Sequence, residues 1–130
     1  FRRVLFRSEY FYFSDHSYKG NSKISSSYIR EAVQLIHNNY AKFDSIAQIA
    51  NRVHLNTDYF SRLFKKEVGL PASTYLVNYK LNVAAVLLRT TNESIGDISR
   101  QVGYENISYF SKIFKAKFNL KPNEYRRQNH

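Results

Sequence analysis

Residues 45–70 are SIAQIANRVHLNTDYFSRLFKKEVGL, and residues 94–120 are SIGDISRQVGYENISYFSKIFKAKFNL. The two stretches match each other, since Ser45 and Ser94 are 49 positions apart and Tyr59 and Tyr109 are 50 positions apart. The second copy therefore has one extra residue near its middle. A repeat this regular indicates one supersecondary unit that occurs twice in the chain.

Each copy has the pattern of a helix-turn-helix, in which a short helix and a tight turn precede a second helix. The predicted helices are Ser45–Val53 and Asn56–Glu67 in the first copy, and Ser94–Val102 and Asn106–Phe118 in the second. Apolar residues recur on one face of each helix, as a buried core requires. Four aromatic residues at one-turn spacing are predicted to fill the two cores: Phe60, Phe64, Phe110 and Phe114.

Three further helices are predicted around the repeat: Ser26 to about Asn39, Pro71 to about Arg89, and a short helix from Pro122. Gly69 and Asn119 are placed to end the second helix of each copy. We predict an all-α fold of seven helices, with two helix-turn-helix subdomains joined by a long central helix. The predicted boundaries are 26–70 for the first subdomain, 71–89 for the central helix and 90–130 for the second subdomain.

The first 25 residues lack this pattern. Residues 1–8, FRRVLFRS, resemble the translated end of a widely used DNA-sequencing adaptor, so we expect an artefact there. The alternative is a basic arm that contacts phosphates. Residues 9–25 join an aromatic run to a polar stretch and are expected to be a linker or the remnant of a missing upstream domain.

The chain is strongly basic, with 20 Lys and Arg against 10 Asp and Glu, a formal charge of +10 and a pI of about 9.9. Without Arg2, Arg3 and Arg7 of the adaptor-like segment the charge would still be +7. Such an excess favours a polyanionic partner, either nucleic acid or an anionic membrane surface. Cysteine is absent, which excludes disulfides and thiolate metal sites and fits an intracellular protein. No apolar run in the sequence is long enough to span a membrane.

The second helix of each copy is apolar on one face and rich in Ser, Arg and Lys on the other. A helix of this kind is suited to enter the major groove of DNA. A single such helix is a weak signal, since any surface helix carries Lys and Arg. Because such a helix occurs twice in a basic chain, we predict that the chain binds double-stranded DNA.

The segments SRLFKKEVGLPASTYL and VGYENISYFSKIFKAKFNLKPNEYRR resemble the DNA-binding domain of the arabinose-operon-regulator (AraC/XylS) family of bacterial transcription factors. The resemblance covers about residues 26–127, and its most specific part ends in Pro122, Tyr125 and Arg126. Two departures are Asn119 in place of the usual Gly, and His54 where the second copy has Gly103. The resemblance implies two recognition helices that enter successive major-groove segments, so that one chain would contact two adjacent half-sites.

The position of each residue in the motif predicts its role. Arg62 is the first candidate for base contacts, because a guanidinium pairs bidentately with guanine, and Lys112 has the matching place in the second copy. The full set of predicted base contacts is Asp58, Ser61, Arg62, Ser108, Ser111 and Lys112. Phosphate contacts are predicted for the lysines and for the residues at the helix N-termini, namely Asn56, Thr57, Lys65, Lys66, Asn106, Ile107 and Lys115. We expect the first unit to dominate specificity and the second to contribute more anchoring.

An enzyme is not expected. His16, His37, His54 and His130 are scattered without the spacing of metal ligands and are expected to be surface or cap residues, and the sequence has no nucleophile elbow or phosphate loop. No catalytic residue, metal or cofactor is therefore predicted. A DNA-repair methyltransferase with this kind of domain would need a reactive cysteine in missing sequence. The other alternative is a basic helical module for protein interaction or for a membrane surface.

The resemblance also implies partners beyond DNA. We expect a cytoplasmic, nucleoid-associated regulator that contacts RNA polymerase, with an effector bound by the missing upstream domain.

Overall fold

A computed structural model of the chain describes residues 24–129, which form seven α-helices, a short 3₁₀ turn and no strand. The adaptor-like segment, most of the predicted linker, His16 and His130 lie outside the described residues. In chain order the helices are α1 (Ser27–Asn39), α2 (Ile46–Arg52), α3 (Thr57–Val68), α4 (Ala72–Thr90), α5 (Ile95–Gln101), α6 (Ile107–Phe118) and α7 (Pro122–Asn129), with the 3₁₀ turn at Tyr40–Lys42. The predicted all-α, seven-helix fold is confirmed.

The chain divides into two units, one ending at Tyr79 and the other beginning at Lys80. The division falls inside α4, whose first part belongs to the first unit and whose second part belongs to the second. This helix is buried along most of its length, and its buried residues form a wide apolar stripe. The buried residues of that stripe are Ala72, Tyr75, Leu76, Tyr79, Leu81, Val83, Ala84, Val86, Leu87 and Leu88.

The core of the first unit is aromatic. Phe60 and Phe64 are fully buried one turn apart on α3, with ring centroids at 5.6 Å. Tyr75 of α4 meets Phe64 edge to face at the same centroid distance. Ala50 is also fully buried on α2, where its small side chain allows close packing of the neighbouring helices. This core fixes the orientation of α3 and so decides which of its residues face solvent.

The expectation that the histidines are surface or cap residues is wrong for His37. This residue is buried on α1, its Nε2 is hydrogen-bonded to the Tyr75 hydroxyl at 2.7 Å, and its ring stacks on Tyr79 at 4.8 Å. Burial lowers the pKa of His37 from its ordinary value of 6.5 to about 4. The imidazole is therefore neutral at pH 7 and packs as an aromatic core residue. His54, in contrast, is exposed as expected.

The second unit repeats this core with Phe110 and Phe114, which are fully buried on α6 with ring centroids at 5.8 Å. Tyr125 of α7 meets Phe114 edge to face at 5.4 Å. Arg126 donates to the backbone carbonyls of Leu88 and Thr91, at 3.2 and 3.1 Å. Arg126 of the last helix thus donates to carbonyl groups at the end of α4. The last carbonyl groups of a helix have no donor within the helix and need such partners.

The turns of the two helix-turn-helix units use equivalent hydrogen bonds. The amide of Leu55 donates to Ala50 O in the first unit, and the amide of Tyr104 donates to Ser99 O in the second. Because Leu55 and Tyr104 are equivalent by this bond, the extra residue of the second copy is Glu105, just before the recognition helix. Ser99, fully buried like Ala50, adds a hydrogen bond from its hydroxyl to the Tyr104 carbonyl at 2.6 Å.

Candidate nucleic-acid interface

The second helix of each helix-turn-helix, α3 and α6, presents a polar face to solvent. We call these two helices the recognition helices. Their predicted base contacts are exposed or partly exposed in both units, and so are the predicted phosphate contacts on the same helices. The exposed residues are Asp58, Arg62, Lys65 and Lys66 on α3 and Ser108, Lys112 and Lys115 on α6, while Ser61 and Ser111 are partly exposed. Within each unit, the predicted contact residues of the recognition helix are thus accessible to solvent.

An asparagine caps each recognition helix at its N-terminus. Asn56 Oδ1 accepts the amides of Asp58 and Tyr59 at 2.9 and 3.1 Å, and Asn106 Oδ1 accepts the amide of Tyr109 at 2.9 Å. These caps already use part of the donor capacity that phosphate binding by the helix N-termini would need. The phosphate contacts predicted for Asn56, Thr57, Asn106 and Ile107 stay predictions.

Both recognition helices end in the left-handed conformation. Gly69 follows α3 with φ 98°, and Asn119 follows α6 with φ 64°. Asparagine is among the few residues other than glycine that tolerate this conformation. The departure of Asn119 from the usual glycine therefore leaves the helix end intact, as the sequence predicts.

The basic residues of α3 lie beside an open cleft of about 720 Å³ in the first unit. Its other wall is formed by the first residues of α4, and its lining comprises Ile46, Ser61, Arg62, Lys65, Lys66, Pro71, Ala72 and Ser73. Three cations along one cleft produce a positive potential there. The sequence predicted these cations individually but not the cleft, because the cleft depends on where the start of α4 packs.

The charges of the two recognition helices differ. On α6 the lysines Lys112, Lys115 and Lys117 occur without any acidic residue. On α3, Arg62, Lys65 and Lys66 are accompanied by Asp58 and Glu67. The second recognition helix is therefore the more positive of the two.

Comparison with known proteins identifies the fold. The family model described as a helix-turn-helix domain matches residues 49–128. The chain is 33% identical to the C-terminal domain of AraT, a response regulator from Geobacillus stearothermophilus, with a TM-score of 0.77, and the match covers 79% of this chain and 86% of that one. It is also 33% identical to a Chromobacterium violaceum transcriptional regulator described as containing an AraC-type DNA-binding domain, with a TM-score of 0.70 and coverage of 78% and 91%. This chain belongs to the AraC-type family of helix-turn-helix DNA-binding domains.

The curated relatives of this AraC-type domain are longer proteins. One of them, the lactose operon transcription activator of Staphylococcus xylosus, is 38% identical over 98 residues, which are 75% of this chain and 35% of the activator. The chain thus spans about a third of that relative. The family consists of DNA-binding domains of transcription regulators and not of enzymes. Among the described residues, no helix of this AraC-type domain has the length and apolar character needed to cross a membrane.

Proposed function

We propose that this AraC-type domain binds a specific double-stranded DNA sequence through α3 and α6, as the DNA-binding part of a bacterial transcription regulator. The observation that carries the proposal is that two helices show the same division between a buried aromatic face and an exposed polar face. Two helices of matching sequence bury Phe60 and Phe64, or Phe110 and Phe114, and expose their Ser, Arg and Lys residues. Helices of this type insert their N-terminal part into the major groove.

The proposed roles of the side chains differ between the two units. Arg62 has a fixed planar fork of donors and is the residue best suited to recognise guanine. Lys112 at the matching position is a single charged donor, so it should discriminate bases less sharply. Asp58, Ser61, Ser108 and Ser111 are proposed as further base contacts. Lys65, Lys66 and Lys115 are proposed to hold phosphates, which set the register on the duplex.

We further propose that the whole protein acts in the bacterial cytoplasm, where its DNA target lies. The relative from Staphylococcus xylosus is named as a transcription activator, which supports RNA polymerase as a second partner. Because that relative is nearly three times as long as the matched region, we also propose an additional domain that binds an effector in the whole protein.

The test is to select duplexes from a random library with the purified chain and to measure their affinity by fluorescence anisotropy. We expect a selected duplex to bind at least about a thousandfold more tightly than a scrambled duplex of the same composition, at one fixed salt concentration. Equal binding of both duplexes would contradict sequence-specific recognition. Co-sedimentation with anionic vesicles tests the alternative of a membrane-surface module, and binding to vesicles without selection of any duplex would favour that alternative.

A further inference from the structure

Large apolar side chains are exposed at the start of the recognition helices. Among the described residues, four such side chains are substantially exposed: Tyr28, Tyr59, Ile107 and Tyr109. Tyr59 and Tyr109 lie in the first turns of α3 and α6, and Ile107 is the first residue of α6. The part of each helix that would enter the groove thus has an apolar component which the polar contacts proposed above do not use.

Ile107 lies on the same face as the proposed DNA contacts of α6. Residues four apart on a helix are neighbours on its surface, so Ile107, Ser111 and Lys115 form one row. Ser108 and Lys112 form the adjacent row. Ile107 is 40% exposed, and it is the aliphatic member of the four exposed large apolar residues in the described part of the chain. Part of its side chain is therefore available for contact with a bound duplex.

A glycine on the preceding helix makes room for this side chain. A Cβ atom added to Gly96 of α5 would lie only 3.0 Å from Ile107 Cδ1. In the first unit the equivalent residues are Ala47 and Thr57, so the position of Gly96 has a Cβ there and the position of Ile107 has a smaller side chain. The second unit thus combines a larger apolar side chain with the space to hold it. This pairing holds one side of Ile107 against α5 and leaves the other side exposed.

We propose that the Ile107 side chain packs against the C5-methyl group of a thymine in the half-site bound by the second unit. The inference rests on the proposed function, since it needs α6 in the major groove. Among the base edges of that groove, thymine alone presents a methyl group, and apolar side chains contact it. This contact gives the second unit a preference at one base pair that the single donor of Lys112 would not supply. It also changes the role of Ile107 from a phosphate contact to a base contact.

The test replaces each thymine of a selected duplex by deoxyuridine, one position at a time. This change removes the methyl group and keeps every hydrogen-bonding atom. We expect one substitution to weaken binding of the unaltered chain by about fourfold, the value of one buried methyl-sized group. Ile107→Ala should bind the thymine duplex less tightly by at least that factor, and it should no longer distinguish thymine from deoxyuridine at that position.

Two controls separate this contact from general effects. Tyr28→Ala removes another exposed large side chain, on α1 and outside the recognition helices, and should leave the sensitivity to deoxyuridine unchanged. Ile107→Val keeps a branched apolar side chain and should retain part of the discrimination, which also covers the case that Ile107→Ala fails to fold. Folding of each variant is checked by thermal unfolding.

The inference is overturned if no deoxyuridine weakens binding of the unaltered chain. It is equally overturned if Ile107→Ala, or Ile107→Val where the alanine variant is unfolded, is as sensitive as the unaltered chain at every position. Both outcomes presuppose a selected duplex. Failure to select any duplex would instead contradict the proposed function, so the two failures are distinguishable.

Discussion

The carboxylate of Glu67 accepts the backbone amide of Ser26 at 2.8 Å, across 41 positions of the sequence. The same Oε1 accepts the amide of Ser25 at 2.9 Å, and Oε2 accepts the Ser25 hydroxyl at 3.1 Å. Glu67 lies in the last turn of the first recognition helix, and the two serines immediately precede α1. A carboxylate at the N-terminus of a helix also interacts favourably with the helix dipole. The N-terminal end of α1 is thereby bonded to the end of the helix proposed to contact DNA.

We expect Glu67→Ala to lower the free energy of unfolding by about 1 kcal/mol at pH 7, because a charged acceptor of two backbone amides is lost. The hydrogen bonds hold the pKa of Glu67 below its ordinary value of 4.5. A carboxylate with a lowered pKa stabilises the fold above its unfolded pKa, and this contribution disappears as the pH falls through the folded pKa. The difference between the unaltered chain and Glu67→Ala should therefore shrink when urea unfolding is measured near pH 3. Glu31→Ala removes an exposed carboxylate from α1 and should change stability less at pH 7.

His37 should make the free energy of unfolding depend on pH at higher pH values than Glu67 does. Its pKa is about 4 in the folded chain and near 6.5 when unfolded, so between these values the unfolded chain binds more protons. Stability is therefore complete above pH 6.5 and falls as the pH drops toward 4, by a total of about 3 kcal/mol. His37→Phe keeps a ring on Tyr79 but cannot be protonated, and its unfolding free energy should vary less between pH 7 and 4.5. Urea titrations at these two pH values measure the effect, and equal pH dependence in both chains would contradict it.

The sequence predicts the parts of this fold that depend on local chemistry. Residues that cap or end helices, such as Asn56, Asn106 and Gly69, show where the recognition helices begin and end because their effect is confined to neighbouring amides and carbonyls. The buried phenylalanines follow from helical spacing, and the exposed basic face follows from them. The repeat adds the inference that both units share one architecture.

Features that depend on contacts between distant residues were not predictable in the same way. The sequence gives no indication that Ser26 is hydrogen-bonded to Glu67, because the spacing of residues within a helix does not relate positions that are 41 apart. The burial of His37 depends on the aromatic rings of α4, which turn a polar residue into a suitable core residue. The space at Gly96 for Ile107 likewise exists only once α5 and α6 are packed.

Arg62→Ala is expected to cost about 1–3 kcal/mol of binding free energy on the selected duplex, because bidentate recognition of one base is lost. Binding to a scrambled duplex should weaken much less, and one position of the preferred sequence should become degenerate in a repeated selection. Anisotropy titrations with both duplexes provide the measurement. An equal loss on the two duplexes would show that Arg62 contacts phosphate only.

Lysine contacts with phosphate should be detectable by their salt dependence. Lys65→Ala and Lys115→Ala are each expected to weaken selected and scrambled duplexes alike, since phosphates carry no sequence information. Each should also reduce the slope of log K against log salt concentration by about 1, corresponding to one counterion fewer released. Lys42→Ala, an exposed lysine outside both recognition helices, is the control and should leave the slope unchanged.

The turns of the two units each contain a residue with positive φ, and the two residues are of different types. His54 and Gly103 occupy equivalent places and both have positive φ, 63° and 104°. A side chain in this region costs about 1–2 kcal/mol, and a glycine in its place gives the unfolded chain more freedom, which offsets about 0.4–1 kcal/mol of that cost. Gly103→Ala should therefore destabilise the fold by about 1 kcal/mol, and His54→Gly should stabilise it by up to about the same amount. Urea unfolding of the two variants tests these opposite signs, and a loss of stability in His54→Gly would mean that the imidazole makes a compensating contact in the turn.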